Sequence, residues 1–196
     1  MAPERLGLLM VTLTAAGSML LACGSGHAKD ENELRALVAS QDHALKDYDV
    51  DLAVELVCPE YQQDKRASME KLLPKMTDFV TPEQRSDPQY MANLKDILFQ
   101  KYGGLGLYIE TADNLAETLR SQDPVAFGKA AQEFVVDMID VQRSDVRNID
   151  VDGDTATAAV KRAYAIGKNE PRVTTDTQMI FVRNGLGWLD CTPPAR

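Results

Sequence analysis

The hydrophobic period of this chain changes once, near Arg143, and that change limits the folds open to it. Before it, apolar residues recur every three or four positions; after it, they alternate. "DENELRALVASQDHALKDYD" puts Leu34, Leu37, Val38, Gln41, Leu45 and Tyr48 on one side of a helix of about four turns, with Asp30 or Asn32 placed to cap it. "VDLAVELVC" makes a short second helix with Ala53, Val54 and Val57 on its apolar face, and Pro59 ends it. Residues 64–141 read as helical almost throughout. They are interrupted at Pro74, restarted by capping residues beside Pro82 and Pro88, and broken at Gly103 and Gly104. Beyond Arg143, "VRNIDV", "TATAAVKRAYAI", "VTTDTQMIFVR" and "WLDC" read as successive antiparallel strands. Asp152-Gly153, "GKNEPR" and "NGLG" turn between them. The tail "TPPAR" is too rich in proline to extend the ladder. Helices first and a curled sheet of about four strands last specify an α+β domain with its helices packed on one sheet face.

The amino terminus carries different information. Arg5 precedes the apolar run Leu6 to Ala22, which sits at the lower limit for spanning a hydrocarbon core of ~30 Å. A basic start, an apolar middle and a small residue before a processing point describe a secretory signal over residues 1–22. "Leu20-Leu21-Ala22-Cys23" resembles the lipobox of bacterial lipoproteins, in which the cysteine thiol takes up a diacylglycerol and the chain is cut just before it. That resemblance implies cleavage between Ala22 and Cys23 and lipid attachment at Cys23. Two acyl chains supply the pair of signals that stable membrane anchoring needs. Residues 23–29 then read as a flexible tether reaching roughly 25 Å, with His27 inside it. An uncleaved anchor helix, or an ordinary secretory signal with a chance cysteine, are the alternatives.

Without the signal, roughly 170 residues remain, enough for one domain with its own core over 30–196. The net charge of −9 and the lack of a basic stripe argue against nucleic acid as a partner. They argue equally against electrostatic adhesion to an anionic leaflet. Besides Cys23 the chain holds Cys58 and Cys191; outside the cytoplasm an even count suggests a disulfide, the alternative being two buried free thiols. With no Cys-x-x-Cys pair and only two histidines, neither a metal site nor a cofactor is expected.

A first helix running into "Asp-x-Asp-x-x-x-x-Leu-x-Cys", the stretch "IDVDGDTATAAV" at 149–160, and the closing "FVRNGLGWLDC" at 181–191 carry a family resemblance. They are similar to actinobacterial, particularly mycobacterial, envelope lipoproteins with a nuclear-transport-factor-2-like (cystatin-like, SnoaL-like) domain. The resemblance implies a cone-shaped sheet with "VDGDTATA" as its central hairpin. It also implies that the cysteine of the last strand pairs with one near the end of the second helix, the positions of Cys191 and Cys58. It covers residues 30–60 and 145–191 and leaves a helical insertion at about 64–141 unexplained. The fold hosts isomerases, dehydratases, cyclases and domains with no known reaction, so it cannot select a chemistry.

In the second strand, Ala156, Ala158, Val160, Arg162, Tyr164 and Ile166 form the more apolar set, and Arg162 is its anomaly. It pairs with a buried carboxylate, binds an anionic ligand, or marks a rim where the strand leaves the core. Arg162, Tyr164, Asp176 and Gln178 are the candidate pocket, the last two on condition that they share its face. Tyr164 with Asp190 is the only acid and base pairing that suggests itself, and no catalytic set is assigned. His43 falls on the polar side of the first helix. A stripe from Tyr90 to Ile109 (Met91, Leu94, Ile97, Leu98, Tyr102, Leu105, Leu107 and Tyr108 between them) is expected to be mostly core. It is the candidate for a lid or a protein-binding surface. The leading expectation is therefore a non-enzymatic, lipid-anchored extracytoplasmic protein of the cell membrane that binds an apolar small molecule or an envelope protein. An isomerase-, dehydratase- or cyclase-type enzyme and a structural accessory subunit of an envelope complex are the rivals.

Overall fold

A computed structural model describes residues 24–194. The expected signal 1–22 and its junction Ala22–Cys23 lie outside the described residues. Helix α1 (Gly24–Lys46) leads into α2 (Val50–Glu55), capped by the Asp49 carboxylate, which accepts the Leu52 N–H at 3.0 Å. The helical segment follows as α3 (Gln62–Glu70), the short α4 (Met76–Phe79), α5 (Pro82–Arg85) and α6 (Pro88–Ala92), then α7 (Leu94–Tyr102), α8 (Ile109–Ser121) and α9 (Pro124–Met138). Proline at the first turn beside a capping side chain starts three of these, at Thr81, Asp87 and Asp123. The sheet is a meander of β1 (Ile139–Asp152), β2 (Thr155–Ile166), β3 (Val173–Asn184) and β4 (Gly187–Asp190), in that spatial order. The fold is thus α+β, with N-terminal helices and a curled four-stranded antiparallel sheet at the C-terminus.

Two expectations are corrected here. Residues 24–29, read as a flexible tether, form the opening turns of α1. Lys29 and Glu33 face each other at 3.6 Å one turn apart, and the helix runs on into the packed stripe that begins at Leu34. Helical structure also ends earlier than expected, at Met138. Ile139 and Val141 instead pair with Ile166 and Tyr164, so β-branched residues that fit the helical period join the ladder.

The curl of the sheet has a local cause. In β1 the register slips by one extra residue between Gln142 and Asp145, and again between Arg147 and Asp150, where Asn148 takes a left-handed conformation with φ 51°. Each bulge bends the strand, and two of them wrap β1 around α1. Leu34, Leu37 and Val38 fill the concave face against Val146, Ala158, Val160, Met179, Phe181 and Trp188. Helix α1 runs antiparallel to β1 and is tied along its length. Asp30 pairs with Arg183, the Arg35 guanidinium donates to the Val146 carbonyl at 2.5 Å, and Asp42 accepts the Ser144 N–H at 2.7 Å. Arg183 also covers the Trp188 ring at 4.4 Å.

The insertion builds a second core of its own. Ala112, Leu115, Ala116 and Leu119 of α8 pack with Ala130, Ala131 and Phe134 of α9, with Leu94 and Leu98 of α7, and with Ala44 and Tyr48 at the end of α1. Tyr48 pins the corner: its hydroxyl donates to the Met69 carbonyl at 3.0 Å, and burial pushes its pKa up.

Cys58 and Cys191 are disulfide-paired, with Cα atoms 4.9 Å apart. The backbone aligns them. Val57 bridges Asp190 in parallel, with the Cys58 N–H donating to the Asp190 carbonyl at 2.8 Å and the Asp190 N–H to that of Leu56 at 3.0 Å.

One glycine holds the junction between the two halves. Gly106 has φ 127°, and a Cβ there would meet the Asp137 carbonyl oxygen at 3.0 Å. Beside it, the Lys168 N–H donates to the Leu105 carbonyl at 2.6 Å, docking the β2–β3 connection onto the helices. Gly106→Ala is expected to destabilise by about 1–3 kcal/mol in urea unfolding. Gly104→Ala, where nothing lies within 4 Å, should stay within about 0.5 kcal/mol. Equal losses at both positions would contradict this account.

Candidate functional site

Arg162 projects from the concave face of β2 toward α1. Its Nη2 donates to the Gln41 Oε1, and its Nε lies 3.7 Å from Asp42 Oδ1, within ion-pair range but beyond a hydrogen bond. Asp42 also accepts from the Ser144 hydroxyl at 2.7 Å. Gln41 passes the chain on, donating at 3.0 Å to Asp190, whose other carboxylate oxygen accepts the Thr192 N–H at 2.9 Å. Half-buried Lys65 approaches from α3. Burial holds its pKa below the ordinary lysine value, repulsion from Arg162 adds to this, and Asp190 opposes it. Burial also lowers the Arg162 pKa, against the pull of Asp42 and Asp190. Gln41 thus bridges Arg162 and Asp190, with Asp42 paired directly to Arg162 and Lys65 close enough to feel both charges. Of the three roles open to Arg162, the structure shows pairing with one largely buried carboxylate, Asp42. A recess of about 100 Å³ remains beside it, lined by Thr175, Thr177, Met179 and Thr192 among others.

The other candidate residues are dispersed. Thr175 and Thr177, which pair with Arg162 and Val160, share the concave face; Asp176 and Gln178 pair with Lys161 and Ala159 and point outward. Asp176 meets Arg147 at 3.1 Å on the outer face, and Gln178 is exposed. Neither is a partner of Arg162, because side chains of a strand alternate and the register assigns these two to the convex side. Tyr164 and Asp190 are not joined either. No hydrogen bond links them among the described residues, and Asp190 is held by Gln41 and Thr192. His43 is exposed and pairs with Asp47 at 2.8 Å.

Tyr164 instead lines a larger cleft of about 490 Å³, between the helical segment and the open end of the sheet. Phe79, Tyr102, Phe134 and Met138 form its helical wall; Tyr164, Ile166, Pro171 and Val173 form its sheet wall. The aromatic floor is rigid: the Phe134 ring stands edge-on to Phe79 at 5.0 Å and to Tyr102 at 5.2 Å. Ile166 and Val173 remain 55% and 49% exposed, so the sheet side of the cleft is uncovered. Its size and apolar walls are those of a small-molecule site.

Gln41 falls by its spacing on the buried side of α1, and a buried amide needs partners, so it is the residue in the chain that points to the ionic network. Asp42 carried no such mark. Phe79, Tyr102, Phe134 and Met138 read as ordinary core positions, because a helical period reports burial and not which cavity a side chain borders. The chain matches no protein-family model, no curated protein and no solved structure.

Proposed function

We propose that this chain is a lipid-anchored extracytoplasmic protein whose domain binds a small apolar molecule in the cleft beside Tyr164. The observation that carries the reading is the aromatic cleft itself, an uncovered apolar hollow in an otherwise acidic molecule. The resemblance of residues 20–23 to a lipobox supports the anchor, and the Cys58–Cys191 pair suits an oxidising compartment. Among the described residues no helix is long and apolar enough to cross a membrane. Helix α1, about 34 Å long, separates its start at Gly24 from the cleft near its far end.

Two measurements test this. Intact-mass analysis of the protein from its own membrane is expected to find a chain beginning at Cys23 with a diacylglycerol adduct. A chain still beginning at Met1 would overturn the address. For the cleft, the fluorescent probe N-phenyl-1-naphthylamine is expected to bind, and Val173→Trp to weaken it about tenfold by filling the open wall. Probe binding indifferent to that substitution, in a protein of unchanged Tm, would remove the cleft as the site.

A protein partner is the second reading, favoured by Phe99, Tyr108 and Ile109. These stay 40%, 59% and 37% exposed while neighbouring Leu94 and Leu98 are buried.

A further inference from the structure

We infer that the cleft selects amphiphiles with a cationic head over those with an anionic one, a conclusion that rests on reading the cleft as a ligand site. Its walls are apolar and aromatic, and tyrosines aside, the titratable residues lining it are two carboxylates, Asp78 and Glu170. They come from opposite sides, Asp78 from α4 and Glu170 from the β2–β3 connection. Neither is in an ion pair among the described residues. Asp78 uses one oxygen to accept the Lys75 N–H at 2.7 Å.

Two of the cations nearby, Arg172 and Lys168, are turned to other partners. Arg172 pairs with Asp140 at 2.5 Å, and the Lys168 ammonium sits over the Tyr108 ring at 5.6 Å. The Lys101 ammonium lies 4.7 Å from the centre of the Tyr102 ring, so one face of that ring already carries a cation. A trimethylammonium or primary ammonium head above an apolar tail would meet the two carboxylates while its tail lies among the aromatic walls. A carboxylate or sulfate head in the same place would face two like charges at the cleft's edges. The net charge of −9 adds a long-range bias of the same sign.

The test uses the full mature chain in phosphatidylcholine nanodiscs, whose zwitterionic surface has no charge preference, with empty discs subtracted. Octyltrimethylammonium, octanol and octanoate share one tail and differ in the head. The expected result is octyltrimethylammonium at least about tenfold tighter than octanoate, with octanol between them. Asp78→Asn combined with Glu170→Gln should shrink that ratio to about threefold or less, in a protein of unchanged Tm because asparagine still accepts the Lys75 N–H. Octanoate binding as tightly as the cation, or a preference that survives the double substitution, would overturn the charge selection. If octanol too fails to bind, or Val173→Trp affects none of the three, the cleft reading itself falls and takes this inference with it.

Discussion

Serine at both Cys58 and Cys191 is expected to lower the free energy of unfolding by about 5 kcal/mol. The two residues are 133 apart in sequence, so the bond removes a great deal of freedom from the unfolded chain. The folded state has little other reason to keep α2 against β4. What remains there is one parallel bridge, with hydrogen bonds of 2.8 and 3.0 Å, and the packing of Leu56 on the core beside Trp188. A chain of this size loses about 2–4 °C in Tm per kcal/mol, so the midpoint should fall by about 10–20 °C. Urea unfolding of the oxidised and reduced protein measures the same difference without mutation. A loss below about 1 kcal/mol in both experiments would mean that the pair closes no productive loop.

Arg162→Met is the other large effect, about 3–5 kcal/mol destabilising. Methionine keeps much of the volume but leaves Asp42, whose side chain is 11% exposed, without its countercharge and Gln41 without its donor. Arg162 is itself 27% exposed, which favours the lower end of that range, because solvent screens part of the pair. Combining it with Asp42→Asn should recover at least about 1 kcal/mol, since the buried charge is then removed along with its partner. Lys65 offers a second readout. With Arg162 gone, repulsion ceases while Asp190 remains, so the Lys65 pKa should rise toward its ordinary value. Strictly additive losses and an unmoved Lys65 would show that the four charges do not act as a network.

Much of the scaffold was legible because its signals are local. Pro82 and Pro88 beside Thr81 and Asp87 start helices wherever they occur. Gly153 turns the first hairpin with φ 59°, and Asn184 accepts the Leu186 and Gly187 N–H groups to turn the last. The site was less legible. Asp176 and Gln178 have the right chemistry for Arg162, yet a single step of register separates the faces of β3, and nothing nearby in the chain signals that step. The partner it found, Gln41, is 121 residues away.

By itself the amino-acid sequence determined the order helices-then-sheet, the turns that join the strands and the two cysteines available to pair. Side-chain period, capping and turn chemistry act within a few residues and travel with them. Only the tertiary structure decided that Arg162 faces Asp42, that Tyr164 leaves it for an aromatic cleft, and that Asp78 and Glu170 both line that cleft. Those encounters depend on two bulges in β1 and on how α4, α7 and α9 stack against the sheet end, and so on the sum of many weak contacts across the whole chain.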